Sequence, residues 1–133
     1  MKALTLSLIL GLMAAPAFAR VPINQEKHVN NVLLQGFIAD QIADNCKTIS
    51  ARKFRALNEL MKLRDYALAQ GYSSDEVRGF VENKKEKARG KAEAAAWLKA
   101  KGAEPGKAQA YCTIGEAEIA KKSLIGSLLR SNK

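Results

Sequence analysis

Val29-Asn30-Asn31-Val32-Leu33-Leu34-Gln35-Gly36-Phe37-Ile38-Ala39-Asp40-Gln41-Ile42 is the stretch whose reading decides the fold class. Val29, Val32, Leu33 and Phe37 recur at helical spacing, and Leu34, Ile38 and Ile42 widen the stripe. A face this wide suits a helix packed on two neighbours. Asn24 reads as its N-cap with Glu26 in the first turn, and the helix should run to about Asn45.

Working outward, Cys46-Lys47-Thr48-Ile49 reads as a connection and Ser50 as the next N-cap. The second helix is expected from Ala51 to Gln70, with Phe54, Leu57, Leu60, Met61, Ala67 and Leu68 mainly on one side. Gly71 occupies the position where a left-handed residue ends a helix. Ser73 and Glu76 have capping-box spacing and open the next helical stretch. Asn83 to Lys91 is almost wholly polar. Residues 74–101 therefore read either as one long helix with an exposed middle or as two helices breaking near Asn83. Gly102 is a second stop signal, and Glu104-Pro105-Gly106 is a turn. A last helix is expected from about Lys107 to Arg130, with Gly115 and Gly126 leaving room for a neighbouring backbone. Strand-like alternation and internal repeats are absent from the sequence. The expected fold is all-α, a small bundle of four or five helices.

At the other end, Lys2, the uncharged run Ala3–Ala15, Pro16 and Ala17-Phe18-Ala19 have the three-part pattern of a secretory signal peptide. The apolar run is shorter than the ~20 residues a membrane span needs. Residues 1–19 are therefore expected to be removed, leaving one helical domain over residues 20–133, in the periplasm or secreted. Arg20 rather than a cysteine follows the cleavage site, so no lipid anchor is implied.

The whole chain carries a formal charge of +9, and removing Lys2 with the leader leaves +8. A basic exported protein points toward anionic envelope surfaces or acidic partners, and away from nucleic acid. Both cysteines, Cys46 and Cys112, lie in the mature region. An even count in an oxidising compartment reads as a structural disulfide, and neither belongs to a Cys-x-x-Cys motif.

His28, the single histidine, reads as a surface or capping residue. The sequence offers no zinc or calcium ligand spacing, phosphate loop, dinucleotide fingerprint or nucleophile elbow. It therefore gives no catalytic, cofactor or metal residues. Two other groups stand out. Lys84, Lys85, Lys87, Arg89 and Lys91 form a basic run interrupted by Glu86 alone among charges. It reads as a solvated helix face or as an electrostatic contact with an anionic surface. Arg52, Arg55, Glu116 and Glu118 become neighbours if the cysteines are bonded, since that brings the two Cα atoms to roughly 5.5 Å. They are expected to form a structural ion pair, with a ligand site as the alternative.

Cys46-x-x-Ile49-Ser50-Ala51-Arg52, Arg55-Ala56-Leu57, Gly71-Tyr72-Ser73 and Glu86-Lys87-Ala88-Arg89 form the first part of a longer pattern. Tyr111-Cys112, Gly115-x-x-Glu118-Ile119 and Ser123-x-Ile125-Gly126-x-Leu128-Leu129-Arg130 form its end. The pattern resembles that of a domain-of-unknown-function family of small exported alphaproteobacterial proteins with two cysteines. The resemblance implies an envelope protein and brings no activity or cofactor with it. It makes Arg52, Glu118 and Ser123 worth testing. The expectation is a non-enzymatic binding or accessory protein of the cell envelope. The alternative is a small periplasmic chaperone or toxin-neutralising protein.

Overall fold

The computed structural model describes residues 20–133, so the expected leader lies outside the described residues. The Glu26 carboxylate accepts the Val29 amide at 2.6 Å and starts α1, Lys27–Asn45. The start falls beyond Asn24 because Ile23–Gln25 closes a 3-10 turn first. α1 runs through the middle of the molecule. Ile38 and Ile42 are fully buried on it, together with Leu98 and Ala94 of a later helix.

After Cys46 the backbone extends instead of turning into a second helix (φ −124°, ψ 113°). Ile49–Ala51 forms β1, and Ser50 is a strand residue rather than a helix cap. β1 pairs antiparallel with β2, Leu129–Ser131, in the register Ile49↔Ser131, Ser50↔Arg130, Ala51↔Leu129. The Arg52 amide extends the ladder by donating to the Leu128 carbonyl at 2.8 Å. Only then does α2 begin, Lys53–Ala69, with no side-chain cap.

Gly71 ends α2 with φ +96°, as its position predicts. The capping box is made in full: Ser73 Oγ accepts the Glu76 amide at 3.1 Å, and Glu76 Oε2 accepts the Ser73 amide at 2.6 Å. It opens α3, Ser74–Glu82. Asn83 then breaks the helix, and its side chain accepts the Glu86 amide at 3.0 Å to cap α4, Lys84–Ala100. The polar stretch is thus a boundary between two helices. α4 lies along α1 where Gly90 faces Phe37. A Cβ at Gly90 would stand 2.5 Å from the Phe37 ring.

The expected last helix is divided into three elements. α5 covers Ala108–Lys121 and stops at Lys122, which is left-handed (φ 54°, ψ 35°). Ser123 Oγ accepts the Gly126 amide at 3.0 Å and caps the single turn α6, Leu124–Ser127. β2 follows. Six α-helices among the described residues exceed the four or five expected, and the fold is all-α apart from the two three-residue strands. A Cys46–Cys112 disulfide, with Cα atoms 5.2 Å apart, ties the end of α1 to α5.

Burial divides unequally. The main core joins α1, β1, α4, α5, α6 and β2 around Ile38, Ile42, Leu98, Tyr111 and Ile125. A small second cluster, Val29, Leu63, Ala67 and Tyr72, holds most of α2, and Ala56 alone on that helix packs against the main core. The remaining large apolar residues of α2 are outside.

Candidate functional site

Phe54, Leu57, Met61 and Leu68 fall on one line along α2, opposite the buried Leu63 and Ala67. The sequence pattern places them with the core residues, yet Phe54 is 91 % exposed, Leu57 55 % and Met61 46 %. Leu60 and Val81 of α3, both about half exposed, widen the patch toward α3. Contiguous exposed apolar surface of this kind marks interaction sites, while single exposed residues do not. Beneath α2 lies a trough of about 320 Å³, floored by Val32, Leu33 and Phe37 and walled by Leu60, Phe80 and Leu124. Its interior is apolar, with Asp40, Glu59, Glu86 and Lys87 also among its lining residues.

Cations border this patch. Among the described residues Arg52, Lys53 and Arg55, at the exposed start of α2, make no ion pair. Lys62 and Arg64 are held by Glu59 at 3.1 Å and Asp65 at 2.9 Å. The basic run lies on α4 and its members differ. Lys84, Lys85, Lys87 and Lys91 are exposed and without ion pairs among the described residues. Arg89 is engaged: its guanidinium donates to Glu86 at 2.7 Å, Glu93 at 2.9 Å and the Asn30 side chain at 2.9 Å. Hydrogen bonds from Arg89 and Asn24 hold the Glu86 carboxyl below its ordinary range. Arg89 is therefore part of the α1–α4 joint and leaves the set of free cations.

The expected ion pair of Arg52 or Arg55 with Glu116 or Glu118 is not formed. The disulfide does bring Cys46 beside α5, but β1 intervenes before α2, and the arginines are carried away on the exposed side. Glu116 instead accepts from Ser131 Oγ of β2 at 2.8 Å. Glu118, 5 % exposed, takes Lys121 Nζ at 2.8 Å and Ser123 Oγ at 2.5 Å. Burial pushes its carboxyl up, but those two hydrogen bonds and the charges of Lys121 and Lys101 outweigh it, and the net direction is down. Glu118 and Ser123 thus lock the α5–α6 turn. This is a structural role for two of the residues the family pattern singled out.

A pH signature follows. A carboxyl depressed in the folded state adds stability that is complete above its unfolded value, near 4.5, and is lost as pH falls through the folded value. Glu118→Gln is expected to cost about 1–3 kcal/mol at neutral pH. Its deficit should shrink toward zero as both proteins are acidified from the unfolded value down through the lower folded one. Urea midpoints of the two at neutral and acid pH measure this; a constant deficit would show that the charge contributes nothing.

His28 lies in the first turn of α1, its ring 4.3 Å from that of Tyr66, whose hydroxyl donates to Glu26 at 3.0 Å. No group of three or more His, Cys, Asp or Glu among the described residues is placed to hold a metal ion. No described helix is long and apolar enough to cross a membrane.

No curated protein and no solved structure matches the chain. The sequence model of the family of unknown function DUF5333 matches residues 21–130, which takes in the helices, β1, the first two residues of β2 and both bonded cysteines. The chain belongs to that family.

Proposed function

We propose that this is an exported, non-enzymatic binding or accessory protein of the cell envelope, working through the apolar face of α2. The observation that carries the reading is the placement of Phe54, Leu57 and Met61. They stand in solvent on a helix whose opposite side is packed, in a chain that buries Ile38, Ile42 and Leu98 completely. Keeping such residues exposed carries a solubility cost, and a contact surface accounts for it. The basic border supplies long-range attraction to anionic or acidic partners.

Fractionation of cells combined with site-specific photo-crosslinking tests this. The protein should appear in the envelope fraction. A photo-reactive residue at Leu57 should give an adduct that one at the exposed Lys99 does not. Cytoplasmic retention, or equal labelling from both positions, would overturn the reading. The trough under α2 favours a second reading, a small periplasmic chaperone or toxin-neutralising protein. In that case the purified protein should suppress aggregation of an unfolded client.

A further inference from the structure

We infer that the crest of α2 is a membrane-docking face, seated in the interfacial layer of an anionic lipid bilayer. Phe54, Leu57 and Met61 form a convex ridge: they point away from the side that Leu63 and Ala67 bury. A ridge of this shape enters a deformable medium without needing a matching groove. Helices that lie in a bilayer interface bury such a stripe under the headgroups while Lys and Arg on their flanks meet lipid phosphates.

Charge complementarity selects the occupant. Arg52, Lys53 and Arg55 surround Phe54 in sequence and make no ion pair among the described residues. Lys84 and Lys85, three and four residues after the exposed Val81 in sequence, are likewise exposed and in no ion pair among the described residues. Residues 52–91 hold eleven Lys and Arg against six Asp and Glu, and seven of those cations, Arg52, Lys53, Arg55, Lys84, Lys85, Lys87 and Lys91, are in no ion pair among the described residues. Their long stems can lie along the apolar surface while the charged ends reach the phosphates. The same border opposes a second copy of the chain, because two such faces would set cations against cations. The inference deepens the envelope reading, which it needs only to say which membrane is met.

Vesicle co-sedimentation of the processed protein tests it. Phosphatidylcholine vesicles are compared with vesicles containing phosphatidylglycerol as well. The protein should bind the anionic vesicles, bind the neutral ones weakly, and release with salt over the range in which exposed charges are screened. Phe54→Ser/Leu57→Ser/Met61→Ser should weaken binding at least about tenfold, since it removes the inserted area. Lys53→Gln/Arg55→Gln/Lys84→Gln/Lys85→Gln should weaken it at least about tenfold by removing attraction. All seven positions are exposed, so unfolding midpoints should hold. If the triple variant misfolds, Phe54→Trp replaces it, and its emission must shift to the blue on anionic vesicles.

Equal vesicle binding by the crest variant overturns the inference and leaves a purely electrostatic contact. Concentration-dependent dimers abolished by the crest variant, without vesicle binding, make the occupant a second copy. Neither vesicle binding nor dimers assigns the ridge to a groove on a protein partner. Vesicle binding by a protein that fractionates with the cytoplasm keeps the face and removes the envelope reading.

Discussion

Replacing Cys46 and Cys112 together by alanine lowers the unfolding free energy by about 4 kcal/mol. The bridge closes a loop of 66 positions, and in the unfolded chain a closure of that length removes much of the available conformational freedom. The effect on the folded side has the same sign. Cys46 is 2 % exposed and belongs to the main core, where its sulfur is joined to Cys112 of α5. The enclosed segment runs from β1 through α4; Ala94 and Leu98 anchor α4 in the main core, while α2 and α3 depend mainly on the small cluster of Val29, Leu63, Ala67 and Tyr72. Cutting the bridge therefore releases the part of the molecule least able to hold itself. Urea denaturation without reductant, wild type against the double variant, measures the loss. Reductant added to the wild type should reproduce it. A difference below about 1 kcal/mol would mean that the bridge merely records a proximity the core already enforces.

Gly126→Ala destabilises by about 3 kcal/mol or more, at or beyond the upper end of usual overpacking costs. A Cβ at Gly126 would stand 2.0 Å from the Glu118 carbonyl oxygen, 2.4 Å from its carbon and 2.7 Å from the Ile119 nitrogen. These are backbone atoms of α5, held by the turn that Ser123 and Glu118 lock, so the clash is relieved only by moving α6. Gly115 provides the comparison. Its added Cβ would meet Ile49 Cδ1 at 2.5 Å, a side-chain tip that can rotate, and Ile42 Cγ2 at 2.7 Å, a branch methyl on a buried side chain rather than a backbone atom. Gly115→Ala is therefore expected to cost about 1–2 kcal/mol. Thermal unfolding of both variants checks the order. Equal losses would show that the α5–α6 contact relaxes as easily as a side chain.

The helices that announce themselves by local chemistry are legible in the sequence. Ser73 and Glu76 cap reciprocally, and Gly71 takes the positive φ its place requires. Asn83 breaks the polar run because its side chain serves the next helix. The misread features depend on distant partners. Ile49-Ser50-Ala51 and Leu129-Arg130-Ser131 are too short to display a period of two, and each is a strand only because the other is there. Ser50 has the chemistry of a cap, but the ladder claims it. Lys122 ends α5 in a left-handed conformation with neither glycine nor proline as a signal. The candidate site is half legible. Helical spacing finds Phe54, Leu57 and Met61, and it cannot say whether a stripe faces core or solvent, since both use the same residues. Only the second cluster, which takes Leu63 and Ala67, settles which side of α2 is inside.

The antiparallel pairing of β1 with β2 has a temporal meaning. A chain emerging N-terminus first, from a ribosome or through a translocation pore, presents Ile49–Ala51 long before Leu129–Ser131 exists to pair with it. Through that interval the strand is an open edge, and Ile125, Leu128 and Leu129 are missing from the main core. α1 can form and α3 can cap themselves locally, but the centre cannot close. The Asn132 amide, which donates to the Thr48 carbonyl at 2.8 Å beside Cys46, waits for the same stretch of chain. Closure of the main core therefore waits for residues 129–131, and anything that guards the nascent chain must do so until β2 arrives.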